Sequence, residues 1–354
     1  MGARRHEDRN LDMLRAIAVT IVLIYHCAQM RRTDILPRVG HFGVLIFFVH
    51  TALVLMMSLD RLASDRLRYF RAFYIQRAFR IYPLSVLCVA AIVVFRIPWI
   101  HWGAYAAPSV GRVIANLLLA QNVIGNPQTI SVSGPLWSLP YEVQMYIVLP
   151  ILFWLLARHP VAKTLYLLVA FSLCVASLEI VLLHAWMGVT RFFPCFMGGV
   201  VAYFLRGRVR RFIPAALWPV TIVALGTVYY LAPVLNVCSW AACLGLGCIL
   251  PFFAETKPGM IAMAAHLIAR YSYGIYLAHV PMLWLCFYKL SFLALWMKWG
   301  LFVTLLPATT VMLYHFVELP MIRAGHRVAS RMGSGVRGYH ADSVLVARSG
   351  SSAD

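Results

Sequence analysis

The chain has 354 residues, of which 62% are hydrophobic and only 12% charged, and its mean hydropathy is +0.78. Because a water-soluble domain carries about 25% charged residues, this composition excludes an ordinary soluble globular protein and predicts residence in a membrane. The net charge of +19 does not indicate a nucleic-acid partner, since the Lys and Arg residues lie beside apolar segments, where membrane topology and contact with anionic lipid account for them.

Apolar segments long enough to cross a bilayer core of about 30 Å recur along the chain. They predict an all-α, polytopic membrane protein with about ten transmembrane helices. The ten predicted spans are residues 11–30, 42–59, 82–100, 141–157, 164–184, 190–205, 213–232, 236–254, 268–288 and 299–322.

The Lys and Arg residues are distributed unevenly between the predicted loops. Roughly three quarters of them fall on the side that also holds the N-terminus, and the positive-inside rule assigns that side to the cytoplasm. We therefore expect cytoplasmic N- and C-termini and a multi-pass location in the cytoplasmic (inner) membrane.

Three segments outside these spans have distinctive compositions. Residues 61–81 are basic and aromatic, which predicts a helix along the inner membrane surface that leads into the third span. Residues 101–140 form the only long outer loop and are predicted to be a lid or an acceptor-binding surface. The transmembrane domain is predicted to cover 1–323, and the tail 324–354, rich in Arg, Gly and Ser, to be disordered.

Arg15 and His26 are ionisable residues of the first span. Their spacing corresponds to three helical turns plus about 20°, so they share one helix face, about 16 Å apart along the axis. Ionisable residues inside a membrane usually face a partner or a cavity. His26 is therefore a candidate for catalysis, although a histidine that only bonds a neighbouring helix fits the same position.

A pair of arginines, Arg77 and Arg80, precedes Pro83 at the inner end of the third span. Residues three apart are neighbours on a helix face, and paired guanidinium groups suit phosphate. For an isolated pair, a positive-inside anchor is the simpler interpretation.

The fourth span opens on Trp137-Ser138-Leu139-Pro140-Tyr141-Glu142. Pro140 suits the first turn of a helix and Ser138 could cap it, which places Glu142 where the helix dipole favours a carboxylate. Dipole compensation alone explains such a glutamate. Because Glu142 and His26 both project to the outer half of the membrane, we expect the two to meet.

His279 and Glu318 are further ionisable residues, in the ninth and tenth spans. His279 falls at mid-membrane and has the same two interpretations as His26. Glu318 lies at the inner face and is expected to pair structurally with a basic residue.

Together, these elements resemble the acyltransferase-3 family of bacterial integral-membrane O-acyltransferases. The resemblance covers roughly residues 11–323 and depends on the order and spacing of several short motifs. The matching residues are Leu11, Asp12, Leu14, Arg15 and His26; Gly43, Val44, Phe47 and Phe48; Arg77, Arg80 and Pro83; Trp137, Ser138, Leu139, Glu142, Gln144, Tyr146 and Pro150; Ser272, Tyr273, Tyr276, Leu277, His279 and Pro281; Glu318 and Pro320. The chain departs from the family at Met13, where glycine is usual, and at His50-Thr51-Ala52, where Ser-Gly-Phe is common.

The resemblance implies a ten-helix enzyme that takes an acyl group, expected to be acetyl, from acyl-CoA in the cytoplasm and transfers it to a carbohydrate hydroxyl on a surface polysaccharide, O-antigen or exopolysaccharide. No permanently bound cofactor and no metal are expected. His26 is expected to act as general base with Glu142 as its orienting carboxylate, or to accept the acyl group itself. The donor is expected at three arginines and the substrate at five further residues: Arg15, Arg77, Arg80; Trp137, Ser138, Gln144, Tyr146, His279.

Two alternatives stay open from the sequence. The acceptor of such an enzyme could instead be a small lipophilic glycoside such as a macrolide. A transporter or flippase without chemistry would also carry intramembrane His and Glu residues, although the chain lacks a recognisable inverted repeat.

Overall fold

The computed structural model describes residues 8–29, 38–62, 66–98, 105–126, 130–183, 189–231 and 234–331. Throughout these ranges the regular elements are helical, and the single β-type contact is an isolated bridge between Ile213 and Phe253. The α-helices in chain order are α1 (Arg9–Gln29), α2 (Val39–Leu62), α3 (Arg66–Val94), α4 (Val110–Leu117), α5 (Gln121–Ile124), α6 (Leu139–Arg158), α7 (Val161–Leu178), α8 (Val189–Leu205), α9 (Trp218–Leu231), α10 (Leu235–Ile249), α11 (Met260–Leu283), α12 (Leu295–Leu313) and α13 (Leu319–Arg331).

Six helical segments in the described part of the chain are long and apolar enough to cross a membrane: Arg9–Gln29, Val39–Arg61, Phe70–Val94, Gly134–Arg158, Val161–Val181 and Leu295–Arg331. Three shorter apolar helices are Val189–Leu205, Ala215–Leu231 and Asn236–Phe252. The all-helical membrane character is thereby confirmed. The count of ten spans and the side on which each terminus lies stay predictions.

Helix α1 packs between α2 and α11. Its face toward the protein interior is formed by Leu14, Ala18 and Val22, which are almost fully buried and follow one another at intervals of four residues. A Cβ atom on Gly43 of α2 would lie 2.8 Å from the Val22 side chain, so glycine is what allows α1 and α2 to approach this closely. His26 is the next position after Val22 on the interior side of α1.

Glycines also set the close crossing of α8 with its neighbours. A Cβ on Gly247 of α10 would collide with the backbone of Gly198, and one on Gly199 would collide with the Val49 carbonyl of α2. Small residues at such crossings are the usual means of packing helices in a membrane, where van der Waals contact has to replace the hydrophobic effect. Helices α2, α8 and α10 therefore form a tight support behind α1.

The basic segment 61–81 is helical from Arg66 and leads without a break into the third predicted span, while its position along the inner membrane surface stays a prediction. Residues 66–94 are one continuous helix, α3, about 43 Å long at 1.5 Å per residue. Pro83 lies inside it and removes the backbone bond to Phe79. Helix α13 packs at that point, with Gly325 so close to Phe79 that an added Cβ would lie 2.7 Å from it. This packing supports the helix where the proline weakens it.

The outer segment 101–140 is not a structureless loop. Its described part contains α4, α5 and a 3-10 turn, Gly134–Ser138, that runs directly into α6. At the other end of the chain, helix α13 continues through Arg331, beyond the predicted domain boundary at 323. The rest of the tail, 332–354, lies outside the described residues.

Candidate active site

Two histidines from different helices meet at the C-terminal end of α1. His26 Nδ1 lies 3.2 Å from His279 Nε2 of α11, and the two ring centroids are 4.9 Å apart. His279 is 1% exposed, whereas His26 is only partly buried. His279 is therefore enclosed by the protein, whereas His26 is partly accessible from outside.

The hydrogen bonds of this pair assign its protons. His26 Nδ1 lies 2.9 Å from the Val22 carbonyl oxygen, and His279 Nδ1 lies 2.9 Å from the Ile275 carbonyl oxygen. A carbonyl only accepts, so each Nδ1 carries the hydrogen and each Nε2 is the lone-pair nitrogen of a neutral ring. The His26 Nδ1–H is then shared between the Val22 oxygen and His279 Nε2. His26 Nε2 is left as the basic atom of the pair.

His26 Nε2 points toward the Gly134–Ser138 turn. The position that a Cβ on Gly134 would occupy lies 3.9 Å from this nitrogen. The turn is held against α11 by Tyr276, whose hydroxyl donates to the Pro135 carbonyl oxygen at 2.7 Å and lies 2.7 Å from Ser138 Oγ. Ser138, which was predicted to bind substrate, is thus buried in this anchoring contact.

A second cluster, the arginine cluster, consists of Arg15 on α1 with Arg77 and Arg80 on α3. The Arg77 Nη2 donates to Ser58 Oγ at 3.0 Å, and its guanidinium lies 5.7 Å from the Phe73 ring centroid. The Arg77 Nε is buried and has no hydrogen-bond partner among the described residues.

Arg15 and Arg80 differ from Arg77 in their partners. Among the residues that the structure describes, neither forms a hydrogen bond or an ion pair within 4.0 Å. The charges that Arg15 feels at longer range are those of Arg80, Glu318, Glu142 and Asp12. Cationic side chains without direct partners are costly inside a membrane protein, so these two guanidinium groups are available to an anionic ligand.

Glu142 lies beside the arginine cluster and does not contact His26. Its Oε1 accepts a hydrogen bond of 2.7 Å from the Tyr146 hydroxyl, and its charge acts on Arg15 and Arg77. No hydrogen bond joins Glu142 to His26, both of which are described. Gly134 of the 3-10 turn lies opposite His26 Nε2, whereas Glu142 follows one helical turn after Ser138 and lies within range of the Arg15 charge.

Glu318 contributes a second carboxylate to this region. It lies in the π-helical turn Tyr314–Glu318 and is 3% exposed, and one of its carboxylate oxygens is buried with no hydrogen-bond partner in the part of the chain that the structure describes. Its charge acts on Arg15 from the α12–α13 junction. The sequence had suggested a structural pairing with a basic residue, and the structure places it at a longer range from two of them, Arg15 and Arg80.

Two other residues that are predicted to bind substrate, Gln144 and Trp137, have different surroundings. Gln144 exchanges a reciprocal pair of amide hydrogen bonds with Asn122 of α5, at 2.8 and 2.9 Å, which fixes the outer segment to α6. Trp137 stacks on His41, with ring centroids 5.6 Å apart and an interplanar angle of 10°. Gln144 therefore fastens the outer segment to α6, and its contact with substrate stays a prediction. Trp137 lies one 3-10 turn from Gly134, which His26 Nε2 faces.

Sequence reasoning missed a network that joins α1 to α11. Asp12 Oδ2 lies 2.8 Å from His266 Nδ1, and Arg270 Nη2 lies 2.8 Å from His266 Nε2. Because Arg270 can only donate, His266 accepts at Nε2 and donates from Nδ1 to Asp12. The only signal in the sequence was an aspartate in the first turn of α1.

His50 is one of the residues at which the chain departs from the family pattern. It is 6% exposed and feels the charges of Arg15 and Arg80, so the departure falls beside the arginine cluster. Within the described residues, no group of three or more His, Cys, Asp or Glu side chains is arranged to hold a metal ion.

A family model described as an acyltransferase domain matches residues 8–315 of the chain. This range includes both histidines of the pair and all three arginines of the cluster. No curated protein and no solved structure matches the chain.

Proposed function

The chain belongs to the acyltransferase-3 family, and on that premise we propose that it transfers an acyl group, acetyl in the first instance, from acyl-CoA to a hydroxyl group of a carbohydrate. The acceptor is a surface polysaccharide, O-antigen or exopolysaccharide. The enzyme is a multi-pass protein of the cytoplasmic membrane. Acyl-CoA is a substrate that binds and leaves, not a resident cofactor.

The observation that carries the proposal is the pair of guanidinium groups on Arg15 and Arg80 without hydrogen-bonding or ion-pair partners in the described structure. Coenzyme A is rich in phosphate, and arginine binds phosphate through two parallel charge-assisted hydrogen bonds. The arginine cluster is therefore the donor site. Arg15 and His26 lie about 16 Å apart on one helix face, a separation of the same order as the flexible arm that carries the thioester.

His26 is the general base of the reaction. Its Nε2 takes the proton of the acceptor hydroxyl while the hydroxyl oxygen forms a bond to the thioester carbonyl carbon. The carbon–sulfur bond then breaks, and the CoA thiolate leaves and takes the proton back from His26. A two-step route, in which His26 Nε2 first accepts the acyl group, uses the same nitrogen. Rapid quenching followed by mass spectrometry of the protein separates the two routes.

His279 takes the orienting role that the sequence suggested for Glu142. Its Nε2 accepts from His26 Nδ1, which keeps the hydrogen on Nδ1 and the lone pair on the nitrogen that faces the substrate. When His26 becomes an imidazolium, this bond strengthens because the donor then carries charge. Glu142 acts at the donor end, where it and Tyr146 flank the arginine cluster.

The charge distribution of the loops gives the direction of transfer. The start of α1 faces the cytoplasm, so the arginine cluster opens to the compartment that contains acyl-CoA. The histidine pair lies toward the opposite face, where the acceptor enters. The enzyme thus acylates a glycan outside the cytoplasm while CoA stays inside.

The direct test is transfer by the purified protein in nanodiscs. Acetyl-CoA labelled with carbon-13 in the acetyl group is supplied with a polysaccharide fraction from the host, and labelled ester on sugar hydroxyls is measured by mass spectrometry. The proposal expects ester formation with one CoA released per ester. Saturable CoA binding without any labelled ester on any carbohydrate fraction would contradict it.

A further inference from the structure

The Gly134–Ser138 turn presents two of its residues to the same side. In a 3-10 helix, side chains three positions apart are eclipsed and about 6 Å apart along the axis. Gly134 and Trp137 are such a pair. Gly134 has no side chain to fill the space in front of His26 Nε2, and Trp137 is the eclipsed residue of the same turn, one 3-10 turn further along.

The indole of Trp137 is held rigidly by aromatic contacts. It stacks on His41, whose Nδ1 lies 2.6 Å from the Tyr229 hydroxyl, and it meets the rings of Tyr141 and Phe192 with centroids 5.9 and 5.8 Å away. Trp137 itself is only partly buried. Its indole N–H donates to no atom of the described residues.

The base and the indole are brought together by the contact between α1 and α2. Tyr25, the neighbour of His26, packs so closely over Gly40 that an added Cβ would collide with its ring. His41, on which Trp137 stacks, is the neighbour of Gly40. The contact between the two helices therefore brings the neighbours of His26 and His41 together, and Trp137 stacks on His41.

We propose that Trp137 and Gly134 form the acceptor subsite for a pyranose ring, which rests on the proposed function. The apolar C–H face of the sugar stacks on the indole, whose free N–H donates to a sugar oxygen. One hydroxyl of the ring crosses Gly134 and reaches His26 Nε2. A space with one flat apolar wall and two separated polar atoms suits a ring with an apolar face and a polar rim, and the 6 Å between Gly134 and Trp137 matches about one such ring.

Binding is measured separately from transfer, by saturation-transfer-difference NMR on the protein in nanodiscs. The probes are the methyl pyranosides of glucose, galactose, mannose and N-acetylglucosamine, and sorbitol is the acyclic control. The expected result is transfer to the ring protons of at least one pyranoside and none to sorbitol. Absence of signal from every pyranoside, or an equal signal from sorbitol, overturns the subsite.

Two variants test the two residues in different ways. Trp137→Leu should weaken pyranoside binding about tenfold, as expected for the loss of one aromatic contact. Trp296→Leu is the matched control, because Trp296 is 76% exposed and lies in no proposed site. Undiminished pyranoside binding in a folded Trp137→Leu protein overturns the proposal.

Gly134→Ala keeps the test decisive if Trp137→Leu does not fold. The added methyl would lie 3.9 Å from His26 Nε2, an ordinary contact that the fold tolerates, but it occupies the position of the reacting hydroxyl. Pyranoside ring signals should persist while transfer falls at least tenfold, and undiminished transfer overturns the subsite. If pyranosides bind as expected and the wild-type protein forms no ester, the proposed function fails and the subsite stands.

Discussion

Replacing Arg80 by alanine isolates the role of the arginine cluster. Arg80 has no hydrogen-bond or ion-pair partner among the described residues, so its removal leaves no protein acceptor unsatisfied. One charge-assisted bond to phosphate contributes about 1.5–3 kcal/mol, which predicts that the Kd for CoA rises roughly 10- to 150-fold. Arg77→Ala should weaken CoA binding over the same range, and it also removes the bond to Ser58, so its melting temperature should fall as well.

The assay is isothermal titration of CoA into the purified protein, with the melting temperature measured on the same samples. Arg158→Ala is the matched control, because Arg158 is exposed at the end of α6, where its guanidinium lies 4.2 Å from the Trp154 ring centroid. The control should bind CoA as the wild type does. If Arg80→Ala and Arg77→Ala also bind CoA with unchanged affinity while well folded, the donor-site reasoning is wrong and the cluster serves topology alone.

Three further predictions concern the histidine pair, the glutamate and the topology. His279→Ala should lower kcat by about 10-fold or more, since His26 loses the partner that orients it, while CoA affinity is unchanged; equal kcat in a folded variant would remove His279 from the reaction. Glu142→Gln keeps an oxygen that can accept a hydrogen bond from Tyr146 but loses a negative charge beside the arginines. CoA should therefore bind about fivefold more tightly, which corresponds to a Coulomb interaction of about 1 kcal/mol. Slower transfer with unchanged CoA affinity would instead support Glu142 as the partner of His26. A cysteine at Asn126 on a cysteine-free background should react with an impermeant reagent in intact cells, and reaction only after lysis would reverse the topology.

Local spacing in the sequence predicted the parts of the site that lie on one helix. Arg15 and His26 share a face of α1 because helix periodicity dictates it, and Arg77 and Arg80 are neighbours for the same reason. The all-helical membrane fold follows equally from the length of the apolar segments.

The sequence could not predict which helices are neighbours. The expected pairing of His26 with Glu142 assumed that the fourth span begins at the level of His26. The structure inserts the Gly134–Ser138 turn at that level, so His279 of α11 meets His26 instead. Helix periodicity describes the faces of a single helix, so it cannot predict how far one helix is displaced along another.

The segments between the predicted spans are where the structure adds most to the sequence. The surface helix predicted for 61–81 and the span predicted from residue 82 are parts of one helix, α3, and Gly325 packs against Phe79 close to Pro83. The outer segment looked irregular from its Gly and Pro content. It is ordered by buried amides such as Asn116, whose Nδ2 donates to the Ile130 carbonyl and whose Oδ1 accepts from the Val132 N–H, both at 3.0 Å.

The central claim is that His26 Nε2 is the base in acyl transfer. The measurement is the turnover of the His26→Ala protein in nanodiscs, per folded molecule, with CoA binding and melting temperature recorded on the same preparation. The control is His159→Ala, because His159 is an exposed histidine at the end of α6. The account predicts normal CoA affinity, normal melting and a loss of transfer of roughly 10²- to 10⁴-fold, with the control unaffected. Near-normal turnover in a well-folded His26→Ala protein would contradict it.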